Sequence, residues 1–273
     1  MNQATPQHID RELKASGLST WILSHGVTSM RTEEIASLLS IPFEQVRTRL
    51  AAQRKVGAIV SPARGLWVPV PPERAAWGAP EPGAYINDMM AFLGCSYYVG
   101  WLSAAFLHGA GHQAPQEFQV ASSKHISDRE IGRSKLRFLT RGRIDQIPAT
   151  RMVSGSSFVR VSTVGATMLD VAADPDISGG LDNAATVIAE LAWENDDFMG
   201  DILTAAPAHS AAAVRRLGWI LEHVAEIDGL DDLARASAEK GASPSYLSPN
   251  APRGGSLDVR WNIFVNKEVD PDI

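Results

Sequence analysis

Apolar residues recur at spacings of three and four along Ile35, Leu38 and Leu39, and again along Phe43, Val46 and Leu50. That period predicts two short helices, Glu33 to Leu39 and Pro42 to about Lys55, each with one buried face. Thr32 stands where a capping hydroxyl belongs, and Glu33 and Glu34 suit the positive end of the helix dipole. Ser40-Ile41 fills the turn between the helices, and Pro42 fits a first helical turn, where its missing N–H does no harm. Gly57 ends the second helix. Ala58 to Val60 and Leu66 to Val68 then read as two short strands joined through Ser61-Pro62-Ala63-Arg64-Gly65. An earlier helix, roughly Ile9 to His25, offers Leu13, Leu18, Trp21 and Ile22 to the same core.

Residues 71–83 are rich in Pro and Gly and read as a linker over the surface. Beyond it the pattern predicts helices at Tyr85 to Leu93 and Val99 to His108. Strands follow at Phe118 to Ala121, Leu136 to Leu139 and Phe158 to Val161. Thr163 opens a helix through Met168 and Leu169 that Asp174-Pro175 closes. Helical spacing returns at Leu181 to Trp193, Phe198 to Leu203, Ala211 to Val224 and Leu230 to Glu239. Leu257, Val259, Trp261, Ile263 and Val265 alternate, which predicts one half-buried strand. The fold class is therefore α+β: an N-terminal winged helix-turn-helix over 1–70, the linker 71–83, and a larger mixed α/β domain over 84–273.

With 273 residues and 45% apolar content the chain has material for a real core and is not a disordered polymer. The single cysteine, Cys95, sits in an apolar stretch read as helical, where it is a small core residue; it excludes an internal disulfide and a Cys-rich zinc module. Met1 to Pro6 lacks the basic flank and apolar run of a signal peptide, and the most apolar stretch, Tyr97 to Leu107, is too short to span a bilayer. The expectation is a cytoplasmic protein without a membrane partner.

The net charge of −6 hides an asymmetry: +3 over 1–75, −3 over 76–123, +6 over 124–160 and −12 over 161–273. The basic segments give the two-helix-plus-hairpin pattern a meaning. A protruding helix fits the major groove, where polar side chains reach base edges and cations neutralise phosphates. Gln45 and Thr48 point where base readers belong, while Arg47, Arg49, Lys55 and Arg64 are placed for backbone contacts. The alternative is a module that mediates only protein contacts, its arginines ordinary solvated residues. Arg133, Lys135, Arg137, Arg141 and Arg143 mark a second basic face for DNA or, equally, a solvated one.

The search for catalysis finds nothing. His108 and His112 are four apart, yet the segment lacks a metalloprotease Glu, and Gly109 and Gly111 would end a helix. No phosphate-binding Gly-x-x-x-x-Gly-Lys-Ser/Thr, Gly-x-Gly-x-x-Gly or Gly-x-Ser-x-Gly sequence occurs. Asp196-Asp197 and Asp231-Asp232 stand at helix starts, where the dipole accounts for them without metal. No catalytic residue, metal or cofactor is expected.

Several segments, taken in order, carry a resemblance. They are Thr32-Glu33-Glu34-Ile35-Ala36, Arg64-Gly65-Leu66-Trp67-Val68-Pro69, Trp101 to Gly109, Ser162-Thr163 through Leu169-Asp170-Val171, and Arg216-Leu217-Gly218-Trp219-Ile220-Leu221. In this combination the chain resembles the AbiEi family of antitoxins from abortive-infection toxin–antitoxin systems. The resemblance implies a repressor of its own operon that binds operator DNA through the winged helix and counteracts a nucleotidyltransferase-class toxin through the C-terminal domain. It offers no catalytic residues to transfer. Two other readings stay open: a ligand-responsive repressor, and a nucleic-acid-directed enzyme with a carboxylate metal site.

Overall fold

The computed structural model describes residues 13–111, 115–154 and 157–272, and they divide into two compact units. The first runs through Leu93 and also includes Glu130–Ser134 and Ser154–Ser157; the second holds Gly94–Arg129, Lys135–Val153 and Phe158 onward. Ile9 and His112 fall outside the described residues.

In the first unit a 3₁₀ turn at Ala15–Gly17 leads into α1 (Leu18–Ser24), then β1 (Met30–Arg31), α2 (Thr32–Leu38), α3 (Phe43–Arg49) and α4 (Ala51–Lys55). The strands β2 (Ile59–Ala63) and β3 (Leu66–Pro69) form a hairpin around Arg64-Gly65, a 3₁₀ turn follows at Pro72–Trp77, and α5 (Pro82–Phe92) closes the unit. The order β1-β3-β2 makes a three-stranded antiparallel sheet, with Met30 opposite Trp67 and Val60 opposite Val68. Leu18, Ile22, Ile35, Val46, Leu50, Ile59 and Trp67 meet in its core. Gln53 is buried as well, its amide donating to the Ala15 carbonyl and its oxygen accepting from Ser19 N–H at 3.1 Å, which ties α4 to α1.

Three expectations change here. The second helix is interrupted, since Leu50 ends α3 and starts α4. Phe43 is half exposed rather than part of the inner stripe, because it opens the helix outside the ring of elements that cover Val46 and Leu50. Arg31, not Thr32, is the capping residue, with Glu34 reaching back to its N–H at 2.7 Å. Thr32 instead joins helix to hairpin: its hydroxyl donates to Gly65 O at 3.1 Å and accepts from the Trp67 indole at 3.0 Å.

The second unit adds β4 (Tyr97–Val99), α6 (Trp101–Leu107) and β5 (Glu117–Ser122); β6 (Arg129–Ile131) falls mainly in the stretch that belongs to the first unit, and β7 (Ser134–Thr140), β8 (Ala149–Ser154) and β9 (Ser157–Ser162) fall mainly in the second. Five strands of this unit lie in the order β7-β5-β4-β9-β8. β4 is antiparallel to β5 and parallel to β9, and β5 is parallel to β7. The helices are α7 (Val164–Ala173), α8 (Leu181–Glu194), α9 (Phe198–Ala205), α10 (Ala211–His223) and α11 (Asp231–Ala238). Residues Gly165 to Ala172 of α7 are all buried, as a helix surrounded by others requires. Gly165 permits the approach of α9, since a Cβ there would lie 2.3 Å from Ile202 N.

Last come β10 (Ser245–Tyr246), β11 (Ser256–Asp258) and β12 (Ile263–Val265), in the order β10-β12-β11. The alternating C-terminal pattern is therefore a hairpin rather than one strand. Asn262 takes φ 49°, and Val259 at the bend is 84% exposed while Trp261 and Ile263 are fully buried. Cys95 lies in the loop between α5 and β4, not in a helix, and Val99, the expected start of a helix, instead ends the strand Tyr97–Val99, the helix beginning at Trp101. Two buried arginines of α10 hold the segment before the hairpin: Arg215 donates to Gly241 O and Ser243 O, and Arg216 to Tyr246 O and Leu247 O, while Arg216 also donates to Ala172 O of α7. Burial lowers Arg216 to about 10, partly offset by Asp174 and Asp176. No helix of the described residues is long and apolar enough to cross a membrane.

Candidate nucleic-acid interface

In the first unit α3 buries Val46 and leaves Gln45, Arg47, Thr48 and Arg49 exposed. The 3.6-residue period accounts for this: with Val46 and Leu50 facing inward, 48 points directly away, 45 mostly away, and 47 and 49 lie on the flanks. Arg49 reaches back toward the Gln45 side-chain oxygen at 3.4 Å, a long contact within one face. Lys55 is exposed at the end of α4, and Arg64 is exposed at the hairpin tip beside Gly65, whose φ of 98° a side chain would resist.

Between α3 and the hairpin lies a groove of about 790 Å³ whose lining includes Arg47, Arg54 and Arg64, the carboxylates Glu33 and Glu44, and the rings of Phe43 and Trp67. Three guanidinium groups thus line one concavity beside the polar face of α3. Arg54 is the residue that pattern reading missed. An unbroken helix hides its relation to the hairpin, whereas the restart at Leu50 brings its guanidinium 5.9 Å over the Trp67 ring. Arg49 and Lys55 do not line the groove.

The five cations of the central basic segment have unlike surroundings. Arg133 belongs to the first unit, where its backbone N–H donates to Trp77 O at 2.8 Å and its side chain is exposed. Lys135 is exposed on β7. Arg137, one pleat further along, pairs with Glu117 of β5 at 3.2 Å. Arg141 turns inward and Arg143 outward.

The inward turn of Arg141 meets a buried polar centre. Asp170 of α7 is fully buried, and its Oδ1 accepts from the Arg141 guanidinium and from Tyr98 OH at 3.3 Å, with His209 Nε2 3.0 Å away. Burial, then the Asp170 charge, pushes the Tyr98 phenol far above its ordinary range. Burial works against the Arg141 charge, but the Asp170 carboxylate overrides it and holds the guanidinium protonated. The Trp101 ring lies 5.3 Å beneath that guanidinium, and its N–H donates to Asp174 at 3.1 Å. Trp101 takes φ 50°, a strained position for a bulky residue. Gly100 leaves room for the arrangement, since a Cβ there would lie 2.9 Å from both Asp170 Oδ2 and the Tyr98 ring.

No group of three or more His, Cys, Asp or Glu placed to hold a metal occurs among the described residues. His108 Nε2 lies 2.7 Å from Ser162 O.

Residues 98–223 match the model of the AbiEi antitoxin C-terminal domain. The buried centre from Tyr98 to His209 therefore falls inside the matched stretch. Among solved structures, the crystal structure of the RV2827C protein from Mycobacterium tuberculosis is similar with a TM-score of 0.66, covering 96% of this chain and 94% of that one. Sequence identity is 13%, so that likeness is one of fold. No curated protein matches the chain by sequence.

Proposed function

We propose, from the match of residues 98–223 to the AbiEi antitoxin C-terminal domain, that the chain is a DNA-binding, non-catalytic antitoxin. In this reading residues 1–70 are a winged helix-turn-helix with α3 as recognition helix and the β2–β3 hairpin as wing. The protein represses its own operon, and the second unit counteracts a nucleotidyltransferase-class toxin. The observation that carries the DNA-binding part is the groove between α3 and the hairpin, where Arg47, Arg54 and Arg64 stand beside the exposed Gln45 and Thr48. Guanidinium groups suit a sugar–phosphate backbone, and the amide and hydroxyl suit base edges.

The test is fluorescence anisotropy of the whole protein on its own upstream duplex and on a scrambled duplex, across salt concentrations. Arg47→Ala and Arg64→Ala should weaken binding to both and reduce the slope of log affinity against log salt by about one each. Gln45→Ala should lower discrimination at one base position by about 1–3 kcal/mol and leave the slope unchanged. Equal affinity for the two duplexes at physiological salt overturns the reading.

A further inference from the structure

Between α6 and α8 of the second unit lies a cavity of about 460 Å³, inside the range of roughly 300–1,000 Å³ that small-molecule sites occupy. Its floor is apolar. Leu102 and Ala105 come from α6, Ala110 from the turn beyond it, and Val187 from α8. Ala105, Ala110 and Val187 are buried, so the floor belongs to the packed core, and the two short alanine side chains leave the space above them open.

The wall is made of polar groups. Asn183, Thr186 and Glu190 line it from one face of α8, and Asp272 adds a carboxylate from the segment beyond β12. Three of the four are held by contacts that leave an oxygen to offer. Glu190 Oε2 accepts from Gly111 N–H at 2.7 Å, and an ionised carboxylate has room for further donors. The Asn183 amide donates to Ser178 O at 2.7 Å, which leaves its oxygen as an acceptor. Asp272 is fixed through its backbone, whose N–H donates to Thr186 Oγ1 at 2.9 Å, so its carboxylate takes no part in that tie.

Charge decides what such a cavity can hold. Among the described residues no Lys, Arg or His lines it. Lys267, the cation of the neighbouring segment, is paired with Asp182 at 2.6 Å. An apolar floor below two carboxylates and an amide oxygen suits a hydrocarbon body that ends in a protonated amine, and it repels an anion.

We propose that this cavity binds a small organic amine, its ammonium held by Glu190, Asp272 and the Asn183 oxygen and its hydrocarbon body resting on Leu102, Ala105 and Val187. The site shares no residue with the groove of the first unit and does not rest on the DNA-binding or the antitoxin reading. It gives the second unit a means of responding to a ligand. Asp272 belongs to the segment that Lys267, Asp270 and Asp272 tie to Asp182 and Thr186 of α8, so an occupant holds that segment in place.

The probe is n-hexylamine, titrated into the whole protein at constant ionic strength, with thermal denaturation and calorimetry as readouts. Hexanol and hexanoate, of the same chain length, are its neutral and anionic counterparts. Hexylamine should raise the melting temperature, and the two counterparts should not. Glu190→Gln, which still offers Gly111 an oxygen, and Asp272→Asn, which keeps the backbone tie, should each weaken the amine about tenfold. Glu268→Gln, at an exposed carboxylate outside the cavity, should leave binding unchanged. Hydrogen exchange at the Asp270 and Asp272 amides should slow when the amine is bound. The proposal falls if hexylamine binds no better than hexanol, or if Glu190→Gln and Asp272→Asn bind it as the wild type does. It falls too if Glu268→Gln weakens the amine as much as they do, since that is the behaviour of a diffuse acidic surface.

Discussion

Asp170 and Gly218 show how much of this molecule is decided by single positions. Asp170 is fully buried with Arg141 and His209 on one oxygen, so Asp170→Ala leaves the guanidinium without its counter-charge in a largely dry setting. Breaking such a pair costs about 3–5 kcal/mol, and urea unfolding should show that loss in the midpoint without a change in slope. Gly218, inside α10, lies against Trp261: a Cβ would fall 2.0 Å from its ring. Gly218→Ala should therefore destabilise by about 1–3 kcal/mol, although alanine is the better helix former, and thermal denaturation reads the sign directly. Neither role was legible in the sequence. Arg141 and Arg143 look alike in an Arg-Gly-Arg turn, and what separates them is a carboxylate 29 positions further on. Gly218 reads as one small residue in an apolar helix until Trp261, from the last hairpin, is brought to it. The candidate readers Gln45 and Thr48 were legible, because a helix that buries 46 and 50 leaves them no other direction.

Elements were legible where period and punctuation agree. The helices from α7 to α11 follow unbroken 3.6-residue spacing between Pro, Gly and capping residues, and their observed bounds lie close to the pattern. Strands of two or three residues, such as β1, β4 and β10, are too short to display any period; pairing partners define them. The C-terminal alternation failed for a related reason: period two persists through a bend when the bend places Trp261 and Ile263 inward by other means. The segment beyond β12 is held by polar contacts on α8. Lys267 pairs with Asp182 at 2.6 Å, Asp270 N–H donates to the same carboxylate at 3.2 Å, and Asp272 N–H donates to Thr186 at 2.9 Å. The Lys267 hydrogen bond, more than offsetting partial burial, holds Asp182 below its ordinary value. A carboxylate depressed in the fold contributes stability above its unfolded pKa and loses it as pH falls through the folded one. Protection of the Asp270 amide in hydrogen exchange should therefore hold at neutral pH and decline on acidification below the ordinary carboxylate range. The pair is solvent-accessible, so the whole effect is under about 1 kcal/mol, and Asp182→Asn should abolish its pH dependence.

At the scale of the whole molecule the question is where the chain can be divided. Pattern reading places the division at residues 71–83, but α5 lies beyond that point and belongs to the first unit. Asp88 of α5 accepts from the hydroxyls of Thr28 and Ser29, the latter at 2.9 Å, and thereby fixes the approach to β1. Phe92 meets the hairpin tip, its ring edge 3.3 Å from where a Cβ on Gly65 would stand, and Arg31 lies 5.6 Å over its face. A fragment ending at residue 83 loses those contacts, and a fragment ending at 93 keeps them. The longer fragment should therefore melt several degrees higher, since about 1 kcal/mol moves a domain of this size by roughly 4–8 °C. It should also bind the upstream duplex more tightly, because Phe92 of α5 packs against the tip of the wing that carries Arg64. Circular dichroism melts and anisotropy on 1–83, 1–93 and the whole chain check both statements, and equal melting temperatures would show that α5 is dispensable to the first unit. If the antitoxin reading holds, residues 94–273 co-expressed with a nucleotidyltransferase-class toxin should relieve its toxicity without silencing a promoter reporter, whereas 1–93 should do neither as well as the intact chain. Protection that requires the first unit, with 94–273 folded but inert, would mean that antitoxicity works through repression alone.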